Sequence, residues 1–235
     1  RLFYRAYVSF PSVTQLQDVV SLSNPLRVSS GNPLLQQSYT NMLGTRYSYT
    51  NTQKGRSLFA NIFLQAASDY ITTATFIART DSTIQNGIVL RKGSQLSKPV
   101  NLNGYNSLRS FFTYSMPIKW IKTNLNLSAG FIYSKLPGQV NYAATTTNNY
   151  QYNAGVVFAS NINQYVDFNV SYNANINNAT TKGASTTTNN YVNHTVGVAL
   201  NLLNKKGWFV QNDISAQVYD GLSGGLDQKF TLWNA

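Results

Sequence analysis

Few side chains in this sequence could carry out acid–base or metal chemistry. There is one histidine, His194, and there is no cysteine or glutamate, so all seven acidic residues are aspartates. Asp167 and Asp213 both lie in stretches of alternating polarity, and a glycosidase would need such a pair about 5–9 Å apart with one strongly perturbed pKa. Nothing in the sequence fixes that distance, and His194 has no G-x-S-x-G nucleophile motif beside it. We therefore predict no catalytic residue, no cofactor and no bound metal.

The element that carries Asp167 reads as a long β-strand. From Tyr165 to Ile176 the even positions are apolar and the odd positions are mostly polar. Successive side chains of a strand point to opposite faces, so this pattern predicts one apolar and one polar face. Ordinary strands have about five or six residues, whereas a tilted strand needs roughly 9–11 residues to cross a bilayer. About ten segments repeat this pattern.

The connections between these segments differ in predicted length. The sequence TTTNNY occurs at 145–150 and again at 186–191, a spacing of 41 residues (186 minus 145), which supports a uniform hairpin meander rather than a solenoid. Short turns at one end and long loops at the other are typical of outer-membrane barrels. Long connections are predicted near 11–38, 79–104, 135–149, 177–190 and 219–225, and short ones near 51–56, 116–122, 161–164 and 203–207.

The composition suits strands with one apolar and one hydrated face. Charged residues make up only 11% of the chain, although its net charge is +11. The basic residues are scattered instead of forming a stripe, which argues against nucleic acid as a partner. The sequence has no run of 18 or more apolar residues, so it predicts no membrane-spanning helix. Trp120 and Trp208 lie beside short turns, where they are predicted to be interfacial anchors.

We predict an all-β fold: an antiparallel up-and-down meander of about ten long strands, part of a large transmembrane β-barrel in the cell outer membrane. His194 falls on the outward phase near the long-loop end and is predicted to be interfacial and non-catalytic. The two inward aspartates are expected to face Arg46 or Lys122. The candidates for the lumen-facing side are Arg46, Asn124, Asn126, Asp167, Asn169, Gln211 and Asp213.

One part of the sequence carries a family resemblance. An aromatic and arginine-bearing strand from Arg5 ends at Pro11-Ser12 and is followed by Asn24-Pro25 and by Gly31-Asn32-Pro33-Leu34. In this region the chain resembles the C-terminal barrel of TonB-dependent-receptor-like outer membrane proteins, especially those of the Bacteroidetes. That family commonly continues with Lys/Gln-Pro-Glu, where this chain has Leu35-Gln36-Gln37-Ser38. The resemblance implies that 1–235 is a partial barrel domain, with the plug domain and the closing strands outside this chain.

The resemblance also implies a function, which is energy-coupled uptake of a bulky nutrient such as an oligosaccharide, a peptide or a metal chelate. The implied partners are outer-membrane lipid and lipopolysaccharide, a surface lipoprotein over the long loops and a TonB-type energiser. Arg27, Asn32 and Gln36 are the ligand-facing candidates in the loops. The alternatives are a passive porin, a structural barrel subunit, a soluble surface β-domain that binds polyanions, and a barrel protease or phospholipase, against which the outward His194 argues.

Overall fold

The structure is a computed structural model that describes residues 1–84, 87–160, 165–221 and 227–234. None of the helices in these ranges has the length and hydropathy needed to cross a membrane. They include α1 (Val13–Leu16), which Ser12 and Gln15 close with a capping box, and a 3-10 turn at Lys119–Ile121. The strands are β1 (Leu2–Ser9), β2 (Arg27–Ser29), β3 (Ser38–Asn51), β4 (Arg56–Ser68), β5 (Tyr70–Ile77), β6 (Ser82–Thr83), β7 (Val89–Leu90), β8 (Gln95–Leu102), β9 (Tyr105–Ile118), β10 (Thr123–Val140), β11 (Ala143–Ser160), β12 (Val166–Lys182), β13 (Thr186–Leu203), β14 (Phe209–Asp220) and β15 (Gln228–Asn234).

Ten of the strands form one antiparallel meander, in the order β1-β3-β4-β9-β10-β11-β12-β13-β14-β15. This confirms the predicted all-β meander of about ten long strands. The four central strands, β10 to β13, have 17 or 18 residues each. At about 3.4 Å per residue they are roughly 60 Å long, whereas roughly 9–11 residues cross a bilayer. They therefore extend well beyond the membrane.

Two of the predicted long loops are strands, so those two predictions are wrong. β10 and β11 run through 135–149 and meet in a turn at Asn141 and Tyr142, which have φ of 48° and 65°. β12 and β13 run through 177–190 and meet at 183–185. Threonine favours strands, and here threonines lie opposite threonines across the ladder, as Thr180 does opposite Thr188. Composition suggested loops because asparagine and threonine are also common in turns.

The remaining connections divide as follows. The short turns near 51–56, 116–122 and 203–207 are confirmed, and the connections that begin at residues 10 and 69 are long. The predicted turn at 161–164 and most of the predicted connection at 219–225 lie outside the described residues. These three turns share one end of the sheet, which we call the short-turn end, and the hairpin turns at 141–142 and 183–185 lie at the other end.

The sheet has one apolar face and one polar face over its membrane-sized part. The register places Leu125, Phe158 and Val170 in one row across three strands and Tyr133 and Tyr150 in a higher row. Above those tyrosines the same face carries polar residues such as Lys135 and Asn148. The outward apolar and aromatic positions run from Leu125 to Tyr133 on β10 and from Val166 to Ile176 on β12, which is nine and eleven residues and matches the thickness that a tilted strand must cross.

The segments 10–37 and 69–104 form a packed unit, which we call the loop domain and which joins the sheet where β5 pairs with β10. Within it β5 pairs antiparallel with β8, and β8 pairs parallel with β2. Its core brings together Val28, Ala78 and Leu90, which are at most 3% exposed. Val20, Phe76, Ile84 and Leu96 pack against them. The two long insertions are therefore folded against each other at the end of the sheet opposite the short turns.

The tip of the β10–β11 hairpin holds the loop domain to the sheet. The Asn141 backbone N–H donates to the Thr75 carbonyl over 2.9 Å, and the Ile77 N–H donates to the Asn141 side-chain oxygen over 2.7 Å. Phe76 and Tyr142 have ring centroids 6.0 Å apart. We call this set of contacts the hairpin-tip latch.

Candidate functional site

All seven residues predicted to face the lumen lie on the same, polar face of the sheet. The register gives a row in which Asn124 of β10, Asn169 of β12 and Asp213 of β14 alternate with Ala159 and Ala199. The next row toward the short turns holds Asp167, Asn201 and Gln211. The register thus places the seven residues on one face, and whether that face lines the lumen and meets a ligand stays a prediction.

The two inward carboxylates have neutral partners. The Ser160 hydroxyl donates to Asp167 over 3.0 Å, and the Gln211 amide donates to Asp213 over 2.9 Å. Asp213 and Asn169 line a cavity of about 270 Å³ floored by Gly197. Glycine is needed at this position because a Cβ atom there would lie only 2.8 Å from the Ser171 hydroxyl.

In the described part of the chain neither Arg46 nor Lys122 forms an ion pair with either aspartate, so the expected pairing is wrong. Arg46 lies away from both aspartates. Its Nε donates to the Asn61 side-chain oxygen over 3.1 Å, and its guanidinium carbon lies 5.5 Å from the centre of the Phe59 ring. Arg46 is on β3, whereas the two aspartates are on β12 and β14, which are separated from β3 by several strands. Alternation predicted the correct face, but it contains no information about which strands are neighbours.

Uncharged amides and phenols form the inward wall further up β11 to β14. Asn177 donates to the Tyr191 hydroxyl over 2.6 Å, and Gln217 donates to the Tyr219 hydroxyl over 2.8 Å. These tyrosines and Asn153 line a cavity of about 300 Å³. Sequence alone did not predict this group, although the odd-numbered asparagines of β12 (Asn173, Asn175 and Asn177) were a signal for it.

The three loop candidates all lie along β8. Arg27 is exposed in β2, opposite Gln95. The Asn32 amide donates to the Pro99 carbonyl over 2.9 Å, and its oxygen accepts from the Leu34 N–H over 3.1 Å. The Gln36 backbone exchanges two hydrogen bonds with the Asn101 side chain, which leaves the Gln36 side chain exposed. Asn32 therefore has a clear structural role, and ligand contact is open to Arg27 and Gln36.

The loop domain also has an open cavity of about 400 Å³. Its lining includes the hydroxyl and amide residues Gln17, Ser21 and Thr73 and the cationic Lys98. Gly31 is required at its edge because a Cβ atom there would lie 2.0 Å from the Gln17 carbonyl oxygen. This contact explains in physical terms the glycine of the Gly31-Asn32-Pro33 segment.

His194 lies on the apolar face, as predicted from its phase. It is in one row with Ala174 and Val218. Its ring stacks on Tyr172 with centroids 6.0 Å apart, and its Nδ1 is 2.8 Å from the Tyr172 hydroxyl. Both side chains are therefore engaged with each other, on the opposite face from Asp167 and Asp213.

The outward face carries the features of a membrane contact. Residues such as Leu127, Val170 and Val198 are 37–45% exposed although they are apolar. At the short-turn end Trp120 is 87% exposed and Trp208 is 73% exposed. Tyrosines border the other side of the apolar band, with the Tyr133 and Tyr150 rings 5.0 Å apart. An apolar band between two aromatic borders is typical of outer-membrane barrels.

Comparison with known proteins agrees with this geometry. Residues 2–214 match the model of a family described as outer membrane protein beta-barrel family. No curated protein matches the chain significantly. The match covers most of the strands of the meander, including every strand from β1 to β13. The chain belongs to the outer membrane protein β-barrel family, and it is a β-barrel protein of the outer membrane.

Proposed function

We propose that this chain forms the wall and outer loops of a receptor for energy-coupled uptake of a bulky nutrient. The loop domain carries this proposal. Two insertions that are distant in sequence share a core of Val28, Ala78 and Leu90 and are fastened to the sheet by the hairpin-tip latch. A loop unit that is ordered in this way can present fixed side chains to a ligand. A passive pore requires only an open passage.

The inward face supports the same reading. Amide, hydroxyl and phenol groups such as Asn177, Tyr191 and Gln217 offer many hydrogen bonds with little charge. They suit a large hydrated cargo, whether an oligosaccharide, a peptide or a metal chelate. On this proposal the chain is not an enzyme, and its hydrogen-bonding groups bind and guide the cargo without breaking bonds.

The partners follow from the two ends and the outward face. The apolar band meets lipid, and its polar upper edge meets lipopolysaccharide. A surface lipoprotein over the loop domain and a TonB-type energiser on the periplasmic side complete the proposed system. A passive porin or a structural subunit is the competing function. The polyanion-binding soluble domain is excluded by membership of the outer-membrane family.

The test is accumulation of labelled cargo by cells that produce the full-length protein. Three fluorescent probes are compared: an oligosaccharide, an oligopeptide and an iron chelate, each too large for general porins. The proposal predicts that one class accumulates and that a protonophore abolishes this accumulation. Entry that persists with the protonophore would indicate a porin. Equal fluorescence in cells with and without the protein for all three probes would contradict a transport function.

A further inference from the structure

The inward face is divided into two chemically different halves. On β1, β3 and β9 it carries three arginines, Arg5, Arg46 and Arg109, and the described strands of this half have no aspartate facing inward. The inward carboxylates, Asp167 and Asp213, are on β12 and β14. In the described part of the chain the one ion pair joins Arg91 and Asp81, in the loop domain.

The three arginines surround a floor of phenyl rings. One row of the register reads Phe3, Gly44, Phe63, Arg109 across β1, β3, β4 and β9. Arg5 lies in the row above and Arg46 in the row below. From strand spacings of about 4.8 Å and rises of about 3.4 Å per residue, their Cα atoms are roughly 12–16 Å apart. Arginine side chains can bridge much of that gap.

Gly44 makes the floor flat. The Phe3 ring lies over Gly44, where a Cβ atom would come within 2.4 Å of it. Phe3 also meets Phe63 edge to face, with centroids 6.2 Å apart. Beside them Phe63, Phe111 and Arg109 line a cavity of about 400 Å³. The surface thus combines an apolar floor with cations at its margin.

Two of the guanidinium groups lie against neighbouring side chains, and the third is exposed. Among the described residues the Arg46 side chain donates through its Nε to Asn61, and its guanidinium carbon lies 5.5 Å from the centre of the Phe59 ring. Arg5 lies over the Tyr7 ring at 5.4 Å. Arg109 is exposed. A guanidinium binds a carboxylate through two parallel hydrogen bonds, and a nearby aromatic ring leaves those donors free.

We propose that this half of the inward face binds a short acidic peptide that also carries an apolar side chain. The carboxylates of the peptide bind Arg46 and Arg109, and its apolar side chain lies on Phe63 and Phe111. Phenyl rings without hydroxyl groups favour an apolar side chain over a sugar ring, whereas the amide-rich half would suit a sugar. The proposal rests on the proposed uptake function and specifies its cargo class.

The test uses the full-length protein in detergent and two fluorescent tetrapeptides. One alternates phenylalanine with aspartate, and the other has asparagine in place of each aspartate. Fluorescence anisotropy is expected to give at least tenfold tighter binding of the acidic peptide, since hydrogen bonds to charged groups are the stronger ones. The difference should shrink as salt is raised.

Variants locate the effect. The double variant R46Q/R109Q should bind the acidic peptide at least tenfold more weakly, and R46K/R109K should keep part of the affinity. K135Q removes a cation from the outward face and should bind as the wild type does. Equal binding of the two peptides, binding of neither, or unchanged binding by R46Q/R109Q would overturn the proposal.

Two further outcomes separate this proposal from the others. If R46Q/R109Q lowers the unfolding temperature and leaves peptide binding unchanged, the arginines pair with carboxylates of the protein itself, and the proposal fails. If energy-dependent uptake is observed without preference for the acidic peptide, the uptake function stands and the acidic site falls. If the protein binds the acidic peptide more tightly than the neutral one but cells show no uptake, the acidic-peptide site is supported and the transport function is contradicted.

Discussion

Neighbouring residues of β12 offer a direct test of which face meets lipid. On β12 the outward apolar positions run from Val166 to Ile176, and Val170 is the third of these six and is 37% exposed. Asn169, next to it, points to the inward face and lines the 270 Å³ cavity. An arginine at Val170 would place a charge near the middle of the hydrocarbon, whereas an arginine at Asn169 would meet water.

The expected cost follows from this placement. An arginine on the lipid face at the bilayer midplane costs roughly 2–4 kcal/mol, and a lumen position has no such penalty. This corresponds to a roughly 30- to 900-fold change in the folding equilibrium, at 1.36 kcal/mol per tenfold. Val170→Arg should therefore unfold at clearly lower urea than the wild type, and Asn169→Arg at nearly the same concentration.

The assay folds the full-length protein into phosphatidylcholine vesicles and follows urea unfolding by tryptophan fluorescence. Val170→Leu is the control for a change of side chain without a charge, and it should lie within about 1 kcal/mol of wild type. If Asn169→Arg costs as much as Val170→Arg, the assignment of the two faces is refuted. A large cost for Val170→Leu would mean that protein packing and not lipid covers this position.

Three further predictions concern single side chains. Asn141→Gly keeps the positive φ of residue 141 but removes the acceptor for the Ile77 N–H. Protease added to intact cells should therefore cut the loop domain several times faster while the barrel stays folded, and an unchanged cleavage rate would contradict the latch. Gly31→Ala places a Cβ atom 2.0 Å from the Gln17 carbonyl oxygen, so it should make the same domain more sensitive to protease. Gly93→Ala is the control and should have the smaller effect, because no atom lies within 4 Å of its Cβ position, although residue 93 has a positive φ. His194→Phe keeps a ring beside Tyr172 and should leave cargo uptake unchanged; a loss of more than tenfold would contradict a non-catalytic, outward histidine.

Sequence alone predicted the two-faced strands because alternation is a local property. Each residue of β12 reveals its face from its neighbours in the chain, and the seven lumen candidates accordingly fall on one face. The strands at 135–149 and 177–190 were missed because asparagine and threonine are frequent in both turns and strands. Only the cross-strand register, such as Thr180 opposite Thr188, distinguishes the two cases.

Contacts between distant segments were the other limit. The core of the loop domain joins Val28 to Ala78 and Leu90, and no periodic pattern links residues so far apart. The arginine-bearing floor requires β4 and β9 to be neighbours, although 36 residues (69–104) separate them. The partner of Arg46 was predicted wrongly for the same reason, since Asn61 is adjacent only through the β3–β4 pairing.

The most direct test of the central claim is to fractionate cells that produce the full-length protein and compare boiled with unboiled samples on a denaturing gel. We predict that the protein is recovered in the outer membrane and that it migrates differently before and after boiling, because a closed barrel resists detergent until it is heated. Recovery in the soluble fraction with identical migration in both samples would contradict the account.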